Sequence, residues 1–491
     1  MNPNTAEIVA KLWRECKTLQ SAGVSYSNYV NELTYLLFLK MLEETGQENR
    51  LPNGHSWRKL ASIEGGDQLA YYKSMLLELG NPKKTKDPVT LAIFTDAMTH
   101  LRLPKDLKTL TTNIDKLDWF TAREDGLGDL YEGLLEKTTS ATKSKAGQYF
   151  TPRALIDSII RLVKPRPGEI IQDPAAGTGG FLIAADRYIK DATDDLFKLS
   201  EEKGNFQRRQ ALRGNEWVPD THRLCVMNML LHGIESLVGC EDSCAPQGEA
   251  LGKADLILTN PPFNKMSGNV NRSDFTITAG ERVGPMPFLE HAVRMLKKGS
   301  RCAIVMPDNI LFGDGVGTEL RRFLMVNCNL HTILRLPTGI FYAQGVKTNV
   351  LFFSRVTNKV YPANHKAQAT KEVWFYDLRA NMPSFGKTNA LTVKHFEEFE
   401  RLFGDDPIGG SGRKEQGETG RWRRLTRDQI AERGDNLDWS WLRDESGDPE
   451  DDMTDPDEIA AAIMGHLRAA LDEIEALSEE MEDTTAVEGT E

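Results

Sequence analysis

The spacing of hydrophobic positions in the first part of the chain is that of amphipathic helices, with apolar side chains recurring three and four residues apart. One helix is predicted after Asn4 or Thr5, either of which can cap it, and a second over Asn28–Glu44. The second helix is broadly apolar, which predicts burial against other helices. Further helices are predicted near residues 68–79, 89–101 and 128–137. Residues 1–145 are therefore predicted to form an N-terminal helical domain.

The pattern changes at about residue 147 to short apolar runs that alternate with amphipathic helices. Strands are predicted at Glu169–Asp173, Ala254–Asn260, Arg301–Met306, His331–Leu336 and Thr348–Ser354. Helices are predicted at Ala154–Val163, Phe181–Asp191, Asp220–His232, Pro287–Leu296 and Gly317–Asn327. This alternation is typical of an α/β domain with a largely parallel sheet, which we assign to residues 146–403. Ligands of such sheets bind beyond the carboxyl ends of the strands.

The C-terminal part combines a polar stretch with an acidic helix. Residues 404–456 begin rich in glycine and are interpreted as a linker and irregular segment. Residues 457–491 are interpreted as an acidic C-terminal helix and tail for subunit assembly, with the helix over Asp457–Met481. One apolar stripe follows this helix: Ile459, Ile463, Leu467, Leu471, Ile474, Leu477 and Met481. The stripe either docks on the chain's own core or forms a coiled-coil contact with a partner subunit.

Composition narrows the classes of function. The formal net charge is −12, but eighteen acidic residues fall in residues 444–491 beside one basic residue, so the rest is mildly basic. No apolar run is long enough for a transmembrane helix, and residues 1–15 lack the features of a secretory signal. Six cysteines indicate free thiols in a reducing, cytoplasmic compartment. Cys240 and Cys244 have no second pair to complete a metal site, so no metal is expected.

A glycine-rich string follows the first predicted strand and precedes a helix: Asp173-Pro174-Ala175-Ala176-Gly177-Thr178-Gly179-Gly180-Phe181. Glycine lets the backbone approach a ligand closely and adopt positive φ. Amide donors at the start of the helix can then meet a carboxylate. A dinucleotide fingerprint has a related spacing, but this string is not GxGxxG. It resembles the cofactor loop of S-adenosylmethionine-dependent methyltransferases.

Glu216 lies 43 residues after Asp173, where the next strand ends. An acidic residue in this position can accept hydrogen bonds from two ribose hydroxyls. Alone it would be an ordinary surface glutamate, but behind the glycine-rich string it is interpreted as part of a nucleoside site.

The string Asn260-Pro261-Pro262-Phe263 closes the strand that begins at Ala254. The two prolines remove N–H groups, so carbonyl oxygens stay available as acceptors. With the side-chain oxygen of Asn260 they can bind both hydrogens of a planar exocyclic amine, while Phe263 can stack on the flat target. Acceptors placed in this way stabilise the transition state of methyl transfer more than the ground state.

These motifs together resemble the modification (methyltransferase) subunits of Type I restriction–modification systems, which are N6-adenine DNA methyltransferases. The resemblance covers most of the chain. Other strings that carry it are Gly128–Glu132, Gly147–Arg153, Met227–Gly233, Leu336–Phe341 and Lys347–Phe353. It implies a Rossmann-like α/β S-adenosylmethionine-dependent methyltransferase domain, an N-terminal helical bundle domain and a C-terminal helical tail.

The resemblance also implies roles for individual residues. Asn260, Pro261, Pro262 and Phe263 would hold the target adenine. The cofactor would be bound by Gln148, Tyr149, Phe150, Thr151, Pro152, Arg153, Asp173, Thr178, Gly179, Gly180 and Glu216. Asp242 stands where the family often has an acidic residue near the adenine moiety of the cofactor, although Cys244 and Pro246 depart from the usual surroundings.

The expected partners follow from what the chain lacks. After Phe353 there is no further domain of about 150 residues for reading DNA, and no GxxxxGK[ST] loop for a motor. The resemblance supplies double-stranded DNA as substrate, a separate specificity subunit, two copies of this chain per specificity subunit and a motor–nuclease subunit. Base flipping is expected, because a base inside a duplex cannot reach such a pocket.

Three alternatives stay open on the sequence. An N4-cytosine DNA methyltransferase would use the same grip on an exocyclic amine. A protein-glutamine methyltransferase also shares that grip, but it does not explain the helical N-terminal domain or the tail. A non-catalytic assembly component would bind the cofactor without turnover.

Overall fold

The computed structural model describes residues 8–14, 24–117, 119, 127–141, 151–264, 268–341, 346–366, 368–383, 385, 389–442, 460, 463, 464 and 467. The predicted site residues Gln148, Tyr149 and Phe150 lie outside the described residues, and so does most of the predicted helix Asp457–Met481. Within the described ranges, no helix combines the length and the apolar character needed to cross a membrane.

The N-terminal part is helical, as the hydrophobic spacing predicts. After a helical stretch at residues 8–14 come α1 (Tyr26–Glu44), α2 (Trp57–Ser62), α3 (Gly65–Leu79), α4 (Pro88–Phe94), α5 (Pro104–Asp115) and α6 (Leu127–Ala141). Ser25 and Asp87 cap α1 and α4 by accepting hydrogen bonds from amides of the first turn. The helix predicted at 89–101 ends early, at Phe94, and Asp96 just beyond it adopts a left-handed φ of 52°. The helices bury one hydrophobic core between them.

An eight-stranded sheet forms the centre of the second part, with its strands in the order β2-β1-β3-β4-β6-β5-β7-β8. The strands are β1 (Ile171–Asp173), β2 (Leu212–Gly214), β3 (Ala254–Thr259), β4 (Leu296–Pro307), β5 (Cys328–Arg335), β6 (Thr348–Arg355), β7 (Glu372–Asp377) and β8 (Trp422–Thr426). Strands β2, β1, β3 and β4 are parallel, whereas β6 lies antiparallel between β4 and β5. Strand β7 is parallel to β5, and β8 is antiparallel to β7. The sheet is therefore mixed, and the largely parallel arrangement predicted from sequence holds for its β2–β4 half.

Helices cover both faces of this sheet. They are α7 (Arg153–Val163), α8 (Gly180–Thr193), α9 (Glu201–Arg209), α10 (Pro219–Leu231), α11 (Pro285–Met295), α12 (Asn309–Phe312), α13 (Val316–Asn327), α14 (Glu397–Phe403) and α15 (Arg427–Glu432). One face packs on α7, α8 and α14, and the other on α11 and α13. The α/β class predicted from sequence is confirmed, and the three parallel strands β1, β2 and β3 end where the candidate motifs begin.

Residues 404–442 belong to this sheet domain. Strand β8 pairs with β7 as the edge of the sheet. Ahead of it, Arg413 donates hydrogen bonds to the carbonyl of His331 at 3.2 Å and to the hydroxyl of Thr332 at 3.0 Å. The interpretation of residues 404–456 as a linker therefore does not hold for the described part. The prediction was wrong because it relied on the glycine-rich composition. The stretch is attached to the sheet by side chains such as the buried Trp422 and the half-buried Arg413.

Helix α10 joins the two parts. Its Val226 and Met227 are buried in the core of the N-terminal helices. Its Arg223 is also buried and donates to the carbonyls of Ile93 at 2.6 Å and Thr95 at 2.9 Å, where α4 ends. The other side of α10 packs in the core of the sheet. One helix thus fixes the N-terminal helices against the domain that carries the candidate site.

Candidate cofactor and target-base site

The loop after β1 is packed tightly on one side and open on the other. Gly177 and Gly179 adopt φ values of 56° and 83°, which residues with side chains rarely adopt. A Cβ on Gly179 would lie 3.1 Å from the sulfur of Cys225 in α10, whereas a Cβ on Gly177 would meet nothing within 4 Å. Asp173 stabilises the turn by accepting a hydrogen bond from the amide of Ala175 at 3.1 Å. A ligand can therefore approach the backbone at Gly177.

Two residues that the sequence analysis did not single out contribute to this region. Asn228 of α10 donates to the carbonyl of Thr178 at 2.9 Å and so holds the loop from behind. Its only signal in the sequence was its place in the string Met227–Gly233. Trp217 directly follows the predicted acidic residue and is 44% exposed, which leaves an aromatic surface accessible beside the loop. Gly180 starts α8, and a Cβ there would lie 3.1 Å from a side chain of α7.

The carboxylate of Glu216 binds the backbone of the loop at Gly177. Its Oε2 accepts from the amide of Gly177 at 2.9 Å, and its Oε1 accepts from the amide of Val218 at 2.8 Å. Burial nevertheless raises the pKa of Glu216 to about 7. Burial also raises the pKa of Asp173 to about 7. The site therefore contains two carboxyl groups that change their ionisation near neutral pH, and a ligand that donates hydrogen bonds to them favours the ionised form.

Asp242 lies on a turn that is fastened to the same loop. The hydroxyl of Ser243 donates to the carbonyl of Pro174 at 2.7 Å and accepts from Nδ2 of Asn215 at 3.2 Å. Asp242 itself accepts from the amide of Cys244 at 2.8 Å. The fold thus brings Asp242 next to the glycine-rich loop, although 69 residues separate Ser243 from Pro174. A role in binding the cofactor stays a prediction.

The turn after β3 presents an unpaired acceptor. Nδ2 of Asn260 donates to the hydroxyl oxygen of Thr151 at 2.9 Å, just before Pro152 caps α7. Oδ1 of Asn260 is buried, and no described residue donates to it. Pro261 and Pro262 contribute no amide hydrogens nearby. A buried acceptor without a donor costs about 1–3 kcal/mol, so a ligand N–H at this point is favoured.

Phe263 is buried and lies against a second aromatic ring. It is 6% exposed and meets Phe341 edge-on, with ring centroids 5.3 Å apart and an interplanar angle of 86°. The contact joins the target-base motif to the string Leu336–Phe341. Stacking of a flat target on Phe263 stays a prediction, and Phe341 is the ring that supports Phe263 from the side.

Arg153 is placed at the junction between the helical part and the sheet domain. Its guanidinium pairs with the buried carboxylate of Glu132 in α6, and desolvation lowers the pKa of Arg153. Ligand atoms of Asp129, Glu132 and His232 lie within 4.8 Å of one another. Because Arg153 already balances this cluster, its carboxylates have a cationic partner from the chain itself. A direct role of Arg153 in cofactor binding stays a prediction.

These groups fit a nucleoside cofactor. The open position at Gly177 admits a ligand to the loop amides, and Glu216 stands ready to accept from hydroxyl groups. The unpaired oxygen of Asn260 suits an amine donor on the substrate. A glycine-rich loop after β1, an acid after β2 and an Asn-Pro-Pro-Phe turn after β3 define the class of S-adenosylmethionine-dependent amino-methyltransferases.

Comparison with known proteins carries the assignment further. Residues 122–446 match the protein family described as N-6 DNA Methylase. The chain is 46% identical to the Type I restriction enzyme EcoKI methylase subunit of Escherichia coli (strain K12), over 97% of this chain and 96% of that protein. The crystal structure of the EcoKI M protein covers 97% of this chain and 96% of its own, with 42% identity and a TM-score of 0.57. A chain solved in work on complex assembly and conformational transition of the type I R-M system is 25% identical, covers 97% of this chain and 98% of its own, and has a TM-score of 0.70.

The chain belongs to the N-6 DNA methylase family and, within it, to the methylase subunits of Type I restriction enzymes. It is an adenine-specific DNA methyltransferase that uses S-adenosylmethionine. The resemblance seen in the sequence motifs is thereby confirmed, and N4-cytosine, protein-glutamine and non-catalytic roles are no longer favoured.

Proposed function

We propose that the loop after β1 and Glu216 bind S-adenosylmethionine, and that Asn260, Pro261, Pro262 and Phe263 hold an adenine flipped out of double-stranded DNA. The observation that carries this proposal is the buried Oδ1 of Asn260 at the carboxyl end of β3, which receives no hydrogen bond from the described residues. The proposed cofactor site is completed by Gln148, Tyr149, Phe150, Thr151, Pro152, Arg153, Asp173, Thr178, Gly179, Gly180 and Asp242.

Orientation and electrostatics account for the chemistry in this proposal. The bound cofactor supplies a methyl group that its sulfonium centre has already activated. Oδ1 of Asn260 and the carbonyl of Pro261 accept the two hydrogens of the 6-amino group, which favours a pyramidal nitrogen with its lone pair free for attack. The amine then gives up one proton to water once it has gained the methyl group. No strong general base is required, since the methyl group is already electrophilic.

We further propose that this chain works in a complex with two copies per specificity subunit, to which motor–nuclease subunits add. Membership of a multi-subunit restriction enzyme supports the need for partners. The tail supports the same idea, because its described Ile463 and Leu467 are helical and are 54% and 65% exposed. Deletion of residues 457–491 should therefore weaken co-purification with the specificity subunit. Unchanged co-purification would refute this role of the tail.

A reducing, cytoplasmic location is also proposed. Among the described residues five cysteines are free thiols, and four of these are buried: Cys225, Cys244, Cys302 and Cys328. Free thiols in these numbers suit a reducing compartment.

The first experiment is nucleoside mass spectrometry on DNA from a methylation-deficient host that expresses this chain with or without a specificity subunit. N6-methyladenine is expected only when both chains are present. Its appearance without the partner would contradict the proposed division of labour. Mapping the modified positions would also define the recognition sequence for later work.

The second experiment tests the proposed site. Asn260→Ala should lower the rate of methyl transfer by at least about 100-fold, the cost of losing one placed hydrogen-bonding group in a reaction centre. Binding of S-adenosylhomocysteine by calorimetry should stay within a few-fold. Asn205→Ala, on the exposed surface of α9, is the matched control and should change neither quantity. Methylation that survives Asn260→Ala would exclude the assigned target site.

A further inference from the structure

The hydrogen bond between Thr151 and Asn260 can form in two ways, with either residue as the donor. A threonine hydroxyl can accept a hydrogen bond through its lone pairs, and it can donate its single proton. In the structure the hydroxyl of Thr151 accepts from Nδ2 of Asn260 at 2.9 Å. This bond does not use the hydroxyl's own proton, which can be donated to another acceptor.

The amide of Asn260 could in principle face Thr151 with either end. If the amide turned over, the Thr151 hydroxyl would donate to Oδ1, and Nδ2 would point where Oδ1 now lies. An NH2 group in that position would oppose the hydrogens of the target amine, donor against donor. The recipient of the Thr151 proton therefore decides whether Asn260 attracts or repels the substrate.

We propose that Thr151 is a positioning residue that makes the grip on the target amine depend on the cofactor. A carboxylate accepts hydrogen bonds and cannot donate them. When the carboxylate of the cofactor takes the Thr151 proton, only a lone pair of Thr151 faces Asn260. That lone pair binds Nδ2 and holds Oδ1 towards the amine. The inference rests on the proposed function and adds to it a link between the two halves of the site.

The surroundings of the two residues support this arrangement. Oδ1 of Asn260 is buried, so a wrongly turned amide cannot be corrected by hydrogen bonds to bulk water. Thr151 stands directly before α7, whose cap residue Pro152 has no amide hydrogen to offer. A charged acceptor forms stronger hydrogen bonds than a neutral one, so a carboxylate would fix the Thr151 proton firmly. Binding of the cofactor thus fixes the orientation of the Asn260 side-chain amide, with Oδ1 towards the target amine.

The test measures the preference for adenine over purine at the target position, because purine lacks the 6-amino group. The methylase is assembled with its specificity subunit on DNA that carries the mapped site. Affinity is measured with saturating S-adenosylhomocysteine and again with its decarboxylated analogue. Purine and adenine also differ in pairing strength, but that difference cancels when the two cofactor states are compared.

The wild-type enzyme should prefer adenine about tenfold more strongly with S-adenosylhomocysteine than with the decarboxylated analogue, the value of roughly one hydrogen bond. Thr151→Ser keeps the hydroxyl and should retain this effect. Thr151→Val is nearly isosteric, removes the hydroxyl and should abolish the effect. If Thr151 had only a structural role, Thr151→Ser and Thr151→Val would weaken DNA binding by the same factor with S-adenosylhomocysteine as with its decarboxylated analogue.

The outcomes separate this inference from the function on which it rests. If Asn260→Ala leaves the adenine preference unchanged, the assigned target site is wrong and the inference falls with it. If Asn260→Ala removes the preference while Thr151→Val keeps the full dependence on the cofactor carboxylate, only the inference is overturned. A wild-type preference that is the same with both analogues would also overturn it.

Discussion

Cofactor affinity should rise about tenfold between pH 6 and pH 8. Burial raises the pKa of Glu216 to about 7, and its proposed role is to accept hydrogen bonds from ribose hydroxyls in its ionised form. With that pKa, roughly one tenth of the free protein is ionised at pH 6 and nine tenths at pH 8. Apparent affinity scales with the fraction of the binding-competent form, which gives the tenfold change. The direction of the pH dependence follows from linkage. Cofactor binding releases a proton from Glu216, so cofactor affinity falls as the pH is lowered.

Isothermal titration calorimetry with S-adenosylhomocysteine at constant ionic strength measures this change. Repeating the titration at pH 7 in buffers of different ionisation enthalpy should reveal about half a proton released per site. Glu216→Gln cannot ionise and should bind weakly at all three pH values with little slope. Glu235→Gln removes an exposed carboxylate outside the proposed site, so it is the matched control and should keep the full slope. A wild-type affinity that is flat from pH 6 to 8, or a full slope in Glu216→Gln, would refute the reasoning.

Two further predictions concern the junction between the helices and the sheet domain. A Cβ on Gly128 would lie 2.5 Å from the His232 ring, so Gly128→Ala should destabilise the protein by about 1–3 kcal/mol despite the better helix propensity of alanine. Thermal unfolding checks this, and adding His232→Ala should restore part of the loss; a variant as stable as wild type would contradict the packing. Arg223→Met leaves two buried carbonyls without charged donors and should cost about 3–5 kcal/mol. Denaturant unfolding should show little change for the surface variant Arg209→Met, and equal stability of the two variants would argue against the junction.

The sequence predicted β1 and β3, which carry the glycine-rich loop and the Asn260 turn, because each is a compact apolar run that ends in a turn residue. Asp173 is the last residue of β1, and Glu216 and Asn260 lie just beyond the ends of β2 and β3. Ligands bind at that edge of such a sheet. Their convergence was therefore predictable from the sequence alone. The N-terminal helices were equally accessible, since a broad apolar face such as that of α1 indicates burial.

Other features depend on pairs of residues far apart in the chain. The bond between Asn260 and Thr151 spans 109 positions, and neither residue type alone indicates which end of the amide is engaged. Strand β2 contains only three residues, which is too short for a periodic pattern. The sequence did not predict strand β8, because Trp422 is followed by two arginines, Arg423 and Arg424, in a glycine-rich stretch. Local composition gave no sign of these tertiary contacts.

Helix α10 packs in both hydrophobic cores, and this limits where the chain can be cut into separately folding fragments. A fragment that begins at residue 146 would expose Val226 and Met227, which complete the core of the N-terminal helices, to water. The N-terminal helices expressed alone would lack those same two side chains. An exchange of this region between relatives would therefore succeed only if one face of α10 travelled with it. Substitutions at Val226 or Met227 should therefore be compensated by changes in the N-terminal helices that pack against them.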